Sequence, residues 1–183
     1  SNQYARNTDT ILFYSKSDKY FWKNQFKPYS EKFITEKFRK DENGRLFRDS
    51  DLGMYSEKSI GEFEKQGKIY LTKNGKKRLI RYLDEENGEA VSTIWDDISP
   101  VNSQANDATN YPTQKPEGIL RRVIQASSRE NDLVLDFFAG SGTTGAVAAA
   151  LGRRFILIDQ NQESIDVISK RLKSAGVEFE LVR

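Results

Sequence analysis

An α/β fold with a parallel sheet is predicted by three features of the last third of the chain. An apolar strand, LVLDFF, runs into a glycine-rich turn. A small-residue helix, TTGAVAAALG, follows it. A second strand, FILID, a second helix, SIDVISKRLKSA, and a terminal apolar run, VEFELV, complete the alternation. Strand, helix, strand, helix, strand is the order that builds parallel sheets with crossover helices. The preceding hundred or so residues have a different texture, with hairpin and short-helix patterns, and read as an inserted mixed α+β segment.

Composition sets the limits on chemistry. With 37% hydrophobic and 31% charged residues in 183 positions, the chain lies in the globular range and is long enough for a real core. It contains no histidine and no cysteine. That removes thiol nucleophiles, disulfides, imidazole bases and the usual zinc sites, leaving carboxylates, amides, hydroxyls, lysines and backbone. No apolar run reaches the roughly 18 residues a spanning helix needs, and SNQYARNTDT lacks an apolar signal centre, so a cytoplasmic protein without a membrane partner is expected. Net charge is +2, but residues 16–90 hold 18 Lys and Arg against 14 Asp and Glu, so the middle is the basic part.

Taken in order, residues 10–15 (TILFYS) read as a short buried strand. Residues 31–38 (EKFITEKF) read as a short amphipathic helix, followed by a turn at residues 41–44 (DENG). In residues 67–83, two β-prone runs flank Asn74 and Gly75, the commonest dipeptide of a tight hairpin. Residues 84–110 are rich in turn formers and read as an irregular connection. After Pro116, which suits a helix start, Ile119, Leu120, Val123 and Ile124 have helical spacing.

Residues 140–145 (GSGTTG) match the G-x-G-x-x-G dinucleotide-binding fingerprint, and Asp159 ends the next strand, where an acid can hold ribose hydroxyls. The competing reading is a tight turn that merely packs the Ala-rich helix on the sheet. The full series of strand, loop, helix, strand and acid favours a ligand. Asp136, immediately before the loop, would repel a pyrophosphate but could bond an ammonium, which favours a cofactor carrying a cation.

The run DFFAGSGTT resembles the cofactor motif of amino-methyltransferases acting on DNA, and YPTQKP within NYPTQKPEGILRRVIQASS resembles the segment before it in the class whose catalytic motif comes first. Upstream, FRDSDL, GKIYLTKNGKKRLIRYLDEENG and TIWDDISPVNSQA resemble target-recognition parts of site-specific methylases, type III restriction-modification methylases included. The resemblance implies a partial Rossmann-like S-adenosylmethionine methyltransferase sheet with an inserted target-recognition segment. Residues 1–25 would contribute a core strand, 26–110 the recognition segment and 111–183 the cofactor-binding part.

By that resemblance Asp136, Phe137, Phe138, Gly140, Gly142 and Thr143 would surround the methionine end of S-adenosyl-L-methionine, with Asp159 on its ribose. Thr113, Lys115 and Pro116 would close the site from the other side. Lys73, Lys76, Lys77 and Arg78 flank the hairpin turn and are candidates for DNA phosphates, though a solvated loop has the same composition. Aromatics at Tyr20, Phe21, Trp22 and Tyr29 offer stacking surfaces but suit a core equally. No base-reading residue stands out.

Amino-methyltransferases carry a D-P-P-Y or N-P-P-Y type tetrapeptide that accepts hydrogen bonds from the flipped base's amine. Nothing of that kind occurs in this sequence. In the family's order it precedes the 10–15 strand, so the expectation is a C-terminal half with no catalytic residue of its own, inactive alone. The strand at residues 134–138 would then keep an open edge for an N-terminal half, a second copy or a restriction subunit. Adenine N6 is the expected target, with cytosine N4 the alternative. Two other classes compete: a DNA-binding module without catalysis, and a nicotinamide-dependent enzyme resting on GSGTTG alone.

Overall fold

Two compact units divide the chain, Gln25–Trp95 and the residues on either side of it; a computed structural model of the protein describes residues 8–101 and 114–182.

The Gln25–Trp95 unit is mixed α+β. Its elements are β1 (Phe26–Lys27), α1 (Glu31–Lys37), β2 (Arg39–Lys40), β3 (Leu46–Ser50), α2 (Glu57–Lys65), β4 (Ile69–Leu71), β5 (Lys77–Tyr82), a 3-10 turn (Leu83–Glu85) and β6 (Glu89–Ala90). An antiparallel sheet runs β2-β3-β5-β4, and β1 pairs with β6. Helix α1 begins where Ser30 accepts the Phe33 N–H, and α2 where Ser56 accepts the Ser59 N–H. The expected helix at 31–38 is therefore present. Helix α2 was not foreseen, although Ser56 followed by Ile60 and Phe63 at turn spacing carries its signal. The turn at 41–44 forms with Gly44 at φ 81°, Asp41 accepting from the N–H groups of Asn43 and Arg45.

The hairpin forms too, with a different loop. Gly75 donates to the Thr72 carbonyl and sits at φ 74°, while Thr72 N–H bonds the Lys76 carbonyl. This is the three-residue loop Lys73-Asn74-Gly75, in which only the glycine is left-handed, rather than the two-residue turn that Asn-Gly most often makes. Cross-strand register places Arg39, Phe47, Asp49, Tyr70, Arg78, Ile80 and Tyr82 on one sheet face. The other face carries Arg48, Leu79 and Arg81. Tyr29, Phe33 and Phe38 pack around the Arg48 guanidinium, and Tyr55 bonds Arg81. Glu86 draws this layer together, accepting from Arg48 Nε and Nη2 at 2.8 Å each, from Arg81 and from the Tyr29 hydroxyl. Burial pushes the Glu86 carboxyl up, but the Arg48 guanidinium outweighs it and holds it below the usual carboxylate range.

The second unit contains α3 (Glu117–Ser127), β7 (Leu133–Asp136), α4 (Thr143–Ala150), β8 (Arg154–Leu157) and α5 (Gln162–Ser174). Strands β7 and β8 pair in parallel, Leu133 opposite Arg154 and Asp136 opposite Leu157. This is the expected α/β arrangement. The helices bury one face of the pair. Ile124 of α3 and Val147 and Ala148 of α4 pack with Val134 and Phe155, and Ile168 and Leu172 of α5 pack with Phe155 and Leu157. On the opposite face Leu133, Leu135, Ile156 and Ile158 are exposed. No described helix is long and apolar enough to cross a membrane.

Two expected strands are absent from the described residues. Residues 10–15 form none, and Ile11, Leu12, Phe13 and Tyr14 are exposed. Residues 177–182 form none either, although Val177 and Phe179 pack against Ile168 and Leu172. A strand needs a partner for its amides, and apolar content alone supplies none. The expected boundary at 110 also differs from the contact boundary after Trp95. Asp97 binds Arg122 at 2.6 Å, and Ile98 lies 3.2 Å from the position a Cβ on Gly118 would take, which ties this segment to α3.

Candidate functional site

The glycine loop is built by β7 ending at Asp136 and α4 beginning at Thr143, and its shape and packing depend on three glycines. Gly142 caps α4 in the left-handed region, at φ 72°, where a Cβ would also meet Ile168 Cγ1 at 2.8 Å. Both facts require glycine. Gly145 has no unusual backbone, but a Cβ there would lie 2.5 Å from Leu157 Cδ1, so it sets how closely α4 lies on β8. That is the packing role of the third glycine in such turns. Gly140, at φ 50°, makes the bend between β7 and Gly142.

Two carboxylates hold the loop from below. Asp136 accepts from the Phe138 N–H at 3.0 Å and from the Thr144 hydroxyl at 2.6 Å. Asp159, following β8, accepts from the N–H of Gly140 and of Asn161, each at 2.9 Å. The Asn161 N–H, helped by that of Gly140, keeps the Asp159 carboxyl below its ordinary range. Each carboxylate has lone pairs beyond those engaged, since two oxygens offer about four acceptor directions. Phe137 and Phe138 flank the turn and are 60% and 90% exposed. With no side-chain cap at Gly142, the first amides of α4 present donors and the positive end of the helix dipole. An anionic group next to a cationic one suits this pairing of amide donors with Asp136.

Three of the remaining expected residues, Thr143, Lys115 and Pro116, are described. The Thr143 side chain lies 3.0 Å from Ser141 Oγ of the loop and accepts from Arg171 Nη1 at 3.1 Å. Lys115 binds Asp9 at 2.8 Å with both side chains exposed, and this contact lowers the Asp9 carboxyl. Pro116 precedes α3 as its cap. Thr113 lies outside the described residues. Sequence reading missed the supports behind the loop. Ser164, fully buried, donates to the Gly140 carbonyl, and Arg171 binds Glu117 at 2.7 Å while reaching Thr143. Ser164, Ile168, Arg171 and Leu172 share one helical face of α5, a spacing that could have revealed them.

In the Gln25–Trp95 unit, Lys76 binds Asp51 at 2.7 Å, Lys77 binds Glu64, and Arg78 binds Asp49 and Asp51 at 2.8 and 3.1 Å. The candidate cations are thus partly neutralised by three carboxylates, which the linear count of charge does not show. Lys73 stands at the hairpin tip.

Residues 1–170 match the family described as DNA methylase, the N6/N4 methyltransferases. The chain is 43% identical over 113 residues to type II methyltransferase M2.LlaDCHI of Lactococcus lactis subsp. cremoris, covering 59% of this chain and 42% of that protein. It is 26% identical over 194 residues to type II methyltransferase M.EcaI of Enterobacter cloacae, covering 93% of this chain and 43% of that protein. DNA adenine methyltransferase YhdJ of Escherichia coli K12 is 51% identical over 83 residues, 45% of this chain and 28% of that protein. The chain spans less than half the length of each of these relatives. With a glycine loop of this geometry and a match over nearly its whole length, the chain belongs to the N6/N4 DNA methylase family.

Proposed function

We propose that this chain is the S-adenosylmethionine-binding and target-recognition portion of a DNA methyltransferase that methylates an exocyclic base amine, adenine N6 above all. The observation that carries the reading is the loop of residues 136–144, where amide donors at the start of α4 adjoin the Asp136 carboxylate. The donors suit the cofactor's carboxylate and Asp136 its ammonium, with Asp159 on the ribose hydroxyls and Phe137 and Phe138 along the site wall. When bound, the cofactor supplies an electrophilic methyl on sulfur. The chain's own residues bind and orient that group; Gly142 and Gly145 keep the loop close to the sheet, and Ser164 and Arg171 hold it from behind. The adenine assignment leans on the YhdJ relative, whose name states that target.

An aromatic amine is a weak nucleophile and needs acceptors that orient it towards the methyl carbon. No D-P-P-Y type tetrapeptide occurs in these 183 residues. We therefore assign the amine-orienting acceptors to a segment outside this chain, placed against β7, whose Leu133 and Leu135 are exposed. A type III relationship and a restriction subunit as partner fit the same reading.

Calorimetry with S-adenosylmethionine and with a nicotinamide dinucleotide tests the cofactor. Heat with the dinucleotide alone would reject the assignment. Radiolabelled methyl transfer tests the division of labour: the purified chain should bind cofactor and duplex without turnover, and an upstream half carrying the tetrapeptide should restore activity in trans. Robust turnover by the chain alone would place catalytic residues within it.

A further inference from the structure

The hairpin β4–β5 lies at one edge of the recognition sheet, with β4 outermost. A two-stranded ribbon of this kind fits the major groove of duplex DNA. Its tip carries Lys73, Lys76 and Lys77, and one face presents Arg78, paired across the strands with Tyr70.

Arg78 differs from the lysines beside it. Its Nε donates to Asp49 Oδ2 at 2.8 Å and its Nη1 to Asp51 Oδ2 at 3.1 Å. The same Asp49 accepts from Arg39 Nη2 at 3.1 Å. Arg39 in turn lies over the rings of Phe47 and Tyr70, its guanidinium carbon 4.7 and 5.5 Å from their centroids, and bonds the Tyr70 hydroxyl at 2.7 Å. Burial pushes the Asp49 carboxyl up, but Arg78 and Arg39 together hold it below the usual range, so it stays ionised between them. Exposed ion pairs contribute little to stability. What this set does is fix direction: Asp49 holds the Nε edge of Arg78, and the exposed Asp51 takes up Nη1, so the guanidinium is held from two sides.

Once the exposed Asp51 gives up Nη1 to the duplex, the Nη1–Nη2 end of this planar guanidinium matches the O6 and N7 acceptors of guanine, and the Asp49 contact that stays on Nε reduces the ordering cost of binding. A lysine on a mobile stem suits a phosphate instead. Resting on the reading of this unit as a target-recognition part, we propose that the β4–β5 ribbon enters the major groove and that Arg78, positioned by Asp49, reads a guanine, while Lys73, Lys76 and Lys77 meet backbone phosphates.

Selection of a randomised duplex library on the 183-residue chain, followed by competition binding, tests this. The chain should enrich duplexes with a fixed guanine. Arg78→Ala and the charge-keeping Arg78→Lys should each lose about tenfold or more of the preference for that guanine over adenine, within the span of a bidentate contact. Affinity for scrambled duplex should change by less than about twofold with Arg78→Lys, which keeps the charge. Asp49→Asn should lose part of the preference with Arg78 intact, and Lys73→Ala should weaken all duplexes alike. Guanine preference retained in both Arg78 variants overturns the inference and leaves the DNA-binding role standing. So does an equal loss on all duplexes with a shallower salt dependence in Arg78→Ala and full affinity in Arg78→Lys, which marks a phosphate contact. A chain that retains no duplex overturns the inference together with the reading beneath it.

Discussion

The unit that carries the glycine loop buries Leu172, Val147 and Ser164 almost completely. Among the described residues of Gln25–Trp95, by contrast, the buried apolar side chains are Phe38, Leu52 and Leu79, and around them run ion pairs from Lys27 to Arg81. One unit draws on apolar area, which is indifferent to salt and proton concentration. The other adds many charged contacts that are individually small and screened by ions. The difference suits two tasks. A loop that must keep glycines within contact distance of a helix needs a stiff packed base, whereas on the proposed function a charged surface would exchange its own carboxylates for DNA phosphates.

The largest expected effect would break the comparison outright. Leu172→Ala removes a fully buried side chain and should destabilise the loop-bearing unit by about 2 to 5 kcal/mol. Hydrogen exchange read by mass spectrometry should show amides of β7, α4 and β8 losing protection while those of β3 and β5 keep theirs. Equal loss in both would mean that the units fold as one.

Next in size, Asp136→Ala should weaken S-adenosylmethionine by about 1.5 to 3 kcal/mol, a charge-assisted bond, measured by calorimetry. Asp136 also anchors Thr144, so Thr144→Val serves as the control for loop support. If Thr144→Val costs as much affinity, Asp136 acts through the loop and not on the ligand. Gly142→Ala should cost roughly 1 to 3 kcal/mol in thermal or denaturant unfolding, from the left-handed backbone and the approach to Ile168.

Acid should separate the units. In Gln25–Trp95 the carboxyls of Asp49, Asp51, Asp84, Glu85 and Glu86 are all lowered in the folded state by guanidinium or ammonium partners. A lowered value means that the unfolded chain binds more protons, so this stabilisation is complete above the ordinary carboxylate range and is lost as pH falls through the folded values. Asp159 contributes with the same sign to the other unit. Protection in β3 and β5 should therefore fail at higher pH than protection in α4 and β8, and Glu86→Gln should move that point upward. Coincident loss would remove the distinction.

Lys76→Ala with Lys77→Ala is the smallest change. Each lysine is exposed and paired, so stability should shift by no more than about 1 kcal/mol. The slope of log affinity for duplex against log salt should fall by roughly one to two, and an unchanged slope would reject the phosphate contacts.

Local chemistry made much of this molecule legible in one dimension. The α/β alternation from β7 to α5, the helix after Pro116, the helix at 31–37 and the glycine turn all follow from spacing, caps and backbone freedom that neighbouring residues settle. The family resemblance lay in DFFAGSGTT and YPTQKP for the same reason, as contiguous runs that can be read without knowing the tertiary structure. Tertiary structure decided whatever depends on a distant partner. Apolar residues 10–15 and 177–182 form no strand among the described residues, because a strand exists only where another offers its amides. Lys76, Lys77 and Arg78 look like free cations in sequence, yet Asp49 of β3, Asp51 just after it and Glu64 of α2 reach them in space. The Thr143 hydroxyl is engaged because Arg171, 28 residues on, donates to it across a part-buried contact. Charge pairing and sheet pairing are properties of distance in space, and spacing along a chain does not encode them.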